Sequence, residues 1–308
     1  MIEKGFRQRL AERQKEVRSL VCVGFDPLDE KLPECLRTDL HESHISTDVV
    51  TWMEDVSDAT AEYASMFKPQ KAHWEAFTNG AWALQKLITH MKHKHPRVPI
   101  FEDCKRGDIK RTQTCYRVGQ FQIDGTQGMN FSPYMGKECM EALFDKNHPE
   151  RSIVSLCYTS NPSAREMQDV ILQDGRRYWE FVAEAVLRWA NELGITENVG
   201  LVMAAAYELP PKGSGNVYSW HLKRCREIVG DLLWFLIPGI GTQKGAVLET
   251  VQYAYAGPGS MAINSSSEID FASSKEDYAE AAGIRAMLLR DEINMAMDTF
   301  DYTYDLAA

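Results

Sequence analysis

The chain has 308 residues, with 34 Lys or Arg against 44 Asp or Glu, and a formal net charge of −10. That length allows a sizeable core, and the acidic balance argues against nucleic-acid binding through bulk charge. No apolar run approaches the ~20 residues of a membrane helix, and the opening Met1-Ile2-Glu3-Lys4-Gly5-Phe6-Arg7 has no apolar signal region, so a cytoplasmic globular protein is expected.

In chain order, residues 6–17 form a charged amphipathic pattern that predicts a helix. A first apolar run, 20–25, ends at Asp26-Pro27. A second, 64–67, ends at Lys68-Pro69-Gln70, and a third, Val98-Pro99-Ile100-Phe101, leads into Glu102-Asp103-Cys104-Lys105-Arg106-Gly107-Asp108-Ile109. The fourth to eighth runs are 128–132, 153–157, 199–204, 232–237 and 260–263. Helical patterns occupy 49–63, 81–91, 178–193 and 278–300, and a polar connection spans 30–48. Pro210-Pro211-Lys212-Gly213-Ser214-Gly215 reads as a flexible turn.

Eight short apolar runs separated by helices predict a closed (β/α)8 TIM barrel, with the 6–17 helix as an N-terminal addition. Parallel barrel strands are buried on both faces, which accounts for runs without polar alternation. An open doubly wound sheet is the alternative, and no GxGxxG follows the first run to favour it. No repeat or linker divides the chain, so residues 1–308 are expected to form a single domain.

Polar residues of chemical interest mostly follow these runs: Asp26, Lys68, Asp103 with Lys105, Ser160 and Gln243. In a barrel they share the C-terminal mouth, where active sites are built. Strand alternation would point Asp103 and Lys105 the same way, and Gly107 and Asp108 begin the next turn. A carboxylate beside an ammonium at a strand end can act as a proton-transfer pair. The same pattern alone also fits a surface ion pair.

The seven cysteines form no CxxC pair and read as reduced packing residues; no metal site is expected. His90, His93 and His95, interleaved with Lys92 and Lys94, read as a solvated helix end.

The ordered motifs Val23-Gly24-Phe25-Asp26-Pro27, Phe67-Lys68-Pro69-Gln70, Asp103-Cys104-Lys105-Arg106-Gly107-Asp108-Ile109, Pro133-Tyr134-Met135-Gly136, Thr159-Ser160-Asn161-Pro162 and Pro238-Gly239-Ile240-Gly241 run through most of the chain. Together they resemble the orotidine 5′-phosphate decarboxylases, in their longer bacterial form. DxKxxD alone is shared with sugar-phosphate decarboxylases of the same superfamily; the later motifs are more specific. The resemblance implies a cofactor-free decarboxylase of a pyrimidine nucleotide in the synthesis of uridine 5′-phosphate. It implies Lys105 as proton donor to C6, Asp103 beside the substrate carboxylate, Lys68 bridging Asp103 and the ribose, and Asp26 on ribose hydroxyls. Asp108, Ile109 and Thr112 would reach into a partner's site, making a homodimer with shared active sites. Ser160 would meet the pyrimidine edge, and Pro238, Gln243, Lys244, Ser266 and Ser267 would lie on the remaining substrate contacts.

The departures cluster where that family holds its phosphate. Ser267 stands where the resemblance places an arginine, followed by Glu268, and the preceding loop reads Gly241-Thr242-Gln243-Lys244-Gly245. Ala204-Ala205-Ala206, His73-Trp74 and Tyr158 also differ from the family pattern. Lys244 replaces the arginine as a point charge, or the substrate carries an altered or absent 5′-phosphate. A ligand-binding barrel without turnover is the reading of another class. Buried like-charged carboxylates beside lysines are costly unless used or paired, which weighs against it.

Overall fold

The computed structural model describes residues 4–37, 42–209, 214, 216–240 and 244–305, with the backbone alone for 42–45 and 244–245. Eight parallel strands follow the eight apolar runs: β1 Val21–Phe25, β2 Met66–Pro69, β3 Phe101–Arg106, β4 Gly128–Phe131, β5 Ser152–Tyr158, β6 Val199–Met203, β7 Trp234–Ile237 and β8 Met261–Ser265. Their order around the sheet is β2-β1-β8-β7-β6-β5-β4-β3. The remaining edges, β2 and β3, meet through the parallel bridges Phe67↔Ile100 and Gln70↔Asp103, so the sheet curls into a nearly closed barrel. The expected (β/α)8 architecture is therefore the one observed.

Helices Phe6–Val17, Gly80–Lys94, Tyr178–Leu193 and Tyr278–Thr299 lie where the periodicity places them, and Glu42–Thr60 begins earlier than its apolar pattern. A two-stranded antiparallel hairpin, Tyr207–Glu208 with Val217–Tyr218, flanks the expected turn after β6; 210–213 and 215 of that turn lie outside the described residues.

Two strand limits differ from expectation. Lys68 lies within β2, and β3 begins at Phe101 and runs on through Asp103 and Lys105. The apolar run marks only the part of a strand packed on both faces. The last residues of a barrel strand still pair with their neighbours while their side chains enter the polar mouth.

Alternate strand residues divide between two cores. Cys22, Met66, Phe101, Val154, Val202, Trp234, Leu236 and Ala262 form a cluster with Phe6 and Leu10 of the N-terminal helix, while Val21, Val23, Phe67, Leu201 and Phe235 join the larger core toward the surrounding helices. Phe6 stacks on Trp234 with ring centroids 5.5 Å apart and meets Phe101 edge-on at 6.2 Å. A side chain at Gly128 would run into Phe101 and Phe6, so only glycine leaves room for that plug.

The β2–β3 seam, thin in backbone pairing, is fastened by side chains. Lys71, just after β2, reaches Glu102 of β3 at 3.0 Å and also pairs with Asp124. Glu102 is fully buried, and that burial pushes its carboxyl up to about 7 against the opposing pull of Lys71. On the other face of the seam, Lys68 of β2 meets Asp103 of β3.

Candidate active site

The mouth is organised around an irregularity in β3. Its pairing with β4 passes from Glu102↔Met129 directly to Arg106↔Phe131, and Lys105 has φ 45°. Asp103 and Lys105 therefore do not meet by simple strand alternation. Asn130 of β4 fills the gap: its Oδ1 accepts the backbone N–H groups of Cys104 at 2.9 Å and Lys105 at 2.6 Å. Its Nδ2 donates to Asp103 Oδ1 at 2.6 Å. The amide thus satisfies the unpaired backbone and turns Lys105 back toward Asp103.

Lys105 Nζ lies 2.6 Å from Asp103 Oδ1, and Lys68 Nζ lies 3.2 Å from the other carboxylate oxygen. Lys68 Nζ is also 4.0 Å from Asp26 Oδ1. The four side chains form an alternating row, Asp26–Lys68–Asp103–Lys105, across the ends of β1, β2 and β3. Lys68 and Asp103 are buried, whereas the Lys105 side chain keeps 46% of its surface open and can meet a ligand.

Burial alone would push the Lys68 ammonium down, but Asp26 and Asp103 outweigh it and hold its pKa above the ordinary value. Burial would likewise raise the Asp103 carboxyl. Lys68, Lys105 and the Asn130 amide reverse that and hold it well below the usual carboxylate range. The row is thus a preorganised set of charges, with its ammonium groups fixed by carboxylates.

A further carboxyl lies beneath it. Asp270, buried at the end of the short helix Ser267–Asp270, accepts the backbone N–H of Asp26 through Oδ2 at 2.9 Å, and its Oδ1 has no hydrogen-bond partner. Burial, then the neighbouring Asp26, drives its pKa well above the ordinary carboxyl value. Neither Asn130 nor Asp270 is among the sequence-derived site residues. The signals were a polar amide inside the fourth apolar run and an acid between Ile269 and Phe271.

The remaining candidates fall into groups. Asp108 is half-buried and accepts the Ile109 N–H at 2.7 Å, and Ile109 and Thr112 on the same segment after β3 are exposed. Ser160, after β5, lies against Gly239, after β7: a Cβ at Gly239, where φ is 93°, would come 3.1 Å from Ser160 Cβ. The Pro238 carbonyl accepts the Ala205 N–H at 3.0 Å, which ties the segments after β6 and β7 together. Ser266 is half-buried over Gly24, where any side chain would collide with its hydroxyl, and Ser267 is exposed beside it. Glu268 pairs weakly with Arg285 at 3.5 Å. Gln243 lies outside the described residues, as does the Lys244 side chain.

Tyr158, where the resemblance expects an arginine, is buried against His221 at 4.8 Å between ring centroids, and its hydroxyl donates to Asp169 at 3.2 Å. Tyr207 and Tyr218 of the hairpin stack on the same imidazole.

Residues 19–282 match a family model described as orotidine 5′-phosphate decarboxylase / HUMPS family. The chain is 35% identical over 290 residues to an orotidine 5′-phosphate decarboxylase of Cupriavidus taiwanensis, spanning 94% of this chain and 97% of that protein. It resembles the solved Leishmania donovani OMP decarboxylase with a TM-score of 0.72 and 28% identity, over 95% of this chain and 98% of that one. It also resembles the UMP synthase of that organism with a TM-score of 0.74 and 29% identity, over 96% of this chain but only 57% of that longer one.

Proposed function

The chain belongs to the orotidine 5′-phosphate decarboxylase / HUMPS family, and on that premise we propose that its Asp26–Lys68–Asp103–Lys105 row converts orotidine 5′-phosphate to uridine 5′-phosphate. The chain is a carboxy-lyase of pyrimidine nucleotide synthesis. The observation that carries the residue assignment is the 2.6 Å contact between Lys105 Nζ and Asp103 Oδ1 at the end of the row.

In the reaction the bond between C6 and the substrate carboxylate breaks, and its electron pair stays on C6 as carbon dioxide leaves. Lys105 gives one Nζ proton to that carbon and regains it from solvent. An ammonium aimed at the developing carbanion stabilises the transition state more than the neutral ground-state carbon, so the interaction favours catalysis. Asp103 orients Lys105 and places negative charge beside the substrate carboxylate, a repulsion relieved on departure. Lys68 neutralises Asp103 from the other side and, with Asp26, meets the ribose.

The active unit we propose is a homodimer with shared sites. Ile109 and Thr112 are exposed after β3, with Asp108 half-buried beside them, and Tyr134 and Met135 leave apolar surface exposed after β4. A partner barrel docked mouth to mouth would cover these segments and bring Asp108, Ile109 and Thr112 to the neighbouring row.

Lys105→Ala is expected to abolish turnover while nucleotide binding stays measurable, because its charge matters most as the carbanion forms. Turnover near the parent rate in that variant would remove the mechanism. Parallel assays with orotidine 5′-phosphate and the unphosphorylated nucleoside test the substrate. Ser267 in place of an arginine, with the negative charge of Glu268 beside it, favours one further reading, a related substrate with an altered or absent 5′-phosphate; equal kinetics for the two compounds would support it.

A further inference from the structure

Two helices approach each other far from the mouth. Helix Glu42–Thr60 ends just before β2, and helix Gly80–Lys94 ends shortly before β3, so both C-terminal ends lie at the end of the barrel opposite the active site. There the carboxylate oxygen Asp58 Oδ1 lies 2.8 Å from His90 Nε2 and 2.7 Å from His95 Nε2. The sequence expectation of a solvated basic helix end holds for His93, which is exposed, but not for its two neighbours.

We propose that Asp58, His90 and His95 form a binding site for a divalent transition metal of the zinc class, separate from the decarboxylase row.

The donor set suits such an ion: two imidazoles and one carboxylate leave a coordination position open to water. The ligand atoms of the three residues lie within 4.8 Å of one another. Tetrahedral ligands about 2.0–2.1 Å from zinc stand roughly 3.3 Å apart, so the carboxylate would withdraw from each imidazole by about half an ångström while the two ring nitrogens settle to the same spacing. Ligation replaces the two N–H groups directed at Asp58 with the metal and moves each ring proton to Nδ1. His90 Nδ1 already faces Glu54 Oε1 at 3.8 Å, a carboxylate that a small approach would let accept a hydrogen bond from that N–H, as outer carboxylates do at metal-binding histidines. The His95 ring is held edge-on by Phe67, with centroids 5.9 Å apart.

Charge and access agree. Asp58 Oδ1 is the oxygen both imidazoles converge on. Lys94 lies 3.9 Å from the other oxygen, Oδ2, and can keep that contact while Oδ1 ligates. The side chains retain 20% of their surface at His90, 17% at His95 and 39% at Asp58, so an ion reaches them from solvent.

The competing role is a His–Asp–His network that only fastens the two helices. Isothermal titration of the chelator-treated full chain with zinc, and visible absorption on titration with cobalt(II), separate the two. The expected result is one equivalent per chain and a d–d band of low coordination number. His90→Ala and His95→Ala should each weaken binding at least about tenfold, and the double variant should lose it. His93→Ala should bind as the parent does. Asp58→Asn, which keeps the side chain's shape, should weaken binding with little change in melting temperature. No saturable binding by the parent chain, or equal affinity in the His90/His95 double variant, would overturn the proposal. Orotidine 5′-phosphate turnover by these variants should stay at the parent rate.

Discussion

Asn130 and Asp103 hold each other across adjacent strands: the amide Nδ2 donates to Asp103 Oδ1 at 2.6 Å, while its Oδ1 caps the backbone N–H of Cys104 and Lys105. The residue that orients the central carboxylate therefore also creates the bend that brings Lys105 to it. Asn130→Ala would leave two N–H groups without their acceptor, at about 1–3 kcal/mol for each that stays dry. We expect kcat to fall at least about tenfold, since a loss of about 1.4 kcal/mol suffices, together with a lower melting temperature. A lower melting temperature with an unchanged kcat would make Asn130 a support of the fold alone.

Asp270 should make stability depend on pH in a definite direction. Its folded-state pKa is raised, so the unfolded chain releases this proton first, and stability falls as pH rises above the ordinary carboxyl value toward the folded one. Asp270→Asn keeps an acceptor for the Asp26 N–H and removes the ionisation. Its melting temperature should match the parent near pH 4 and exceed it increasingly toward pH 8. Asp270→Leu loses the acceptor and should raise KM more than it lowers kcat, since Asp26 is placed against the ribose. A constant offset between Asn variant and parent across that range would refute the assignment of the raised pKa.

The shared-site dimer is tested by mixing. Lys105→Ala and Asp108→Ala, each inactive alone, should recover part of the parent activity when combined under conditions where subunits exchange. One of the two sites in a mixed dimer would carry neither lesion. Mixtures shown to exchange but without recovered activity would confine each site to one chain.

The phosphate end gives the fourth prediction. If Lys244 supplies the charge that Ser267 does not, Lys244→Ala should weaken nucleotide binding by more than roughly tenfold, from the ~1.5–3 kcal/mol of a charge-assisted bond. Binding of the unphosphorylated nucleoside should hardly change. Ser267→Arg should tighten nucleotide binding unless Glu268 captures the new guanidinium. If nucleotide affinity moves in neither variant, the phosphate docks elsewhere.

The barrel was legible because burial on both strand faces writes itself as apolar runs, and helix periodicity fills the gaps. The charged row was legible for a related reason: Asp26, Lys68, Asp103 and Lys105 sit at or just beyond the end of a run. What stayed hidden depends on contacts between strands. The positive φ of Lys105 and the amide that fills the bulge come from two different strands, and no local pattern in either announces the pair. Asp270 stands far along the chain from Asp26 and becomes neighbour to it only when β8 closes against β1. The Asp58 cluster escaped for the same reason, since its carboxylate and its imidazoles belong to separate helices.

The seating of Phe6 against Trp234 also sets an order of events in synthesis. At about 5–20 residues per second, the ring of Phe6 waits roughly ten seconds or more before Trp234 is made. Phe101 is made earlier and meets one edge of the Phe6 ring, but the stacking face of that ring has no partner until the seventh strand exists. Contacts so distant in sequence form late and slow folding. The floor is thus complete only late in synthesis, when the seventh strand brings the ring that covers the first residue of the first helix.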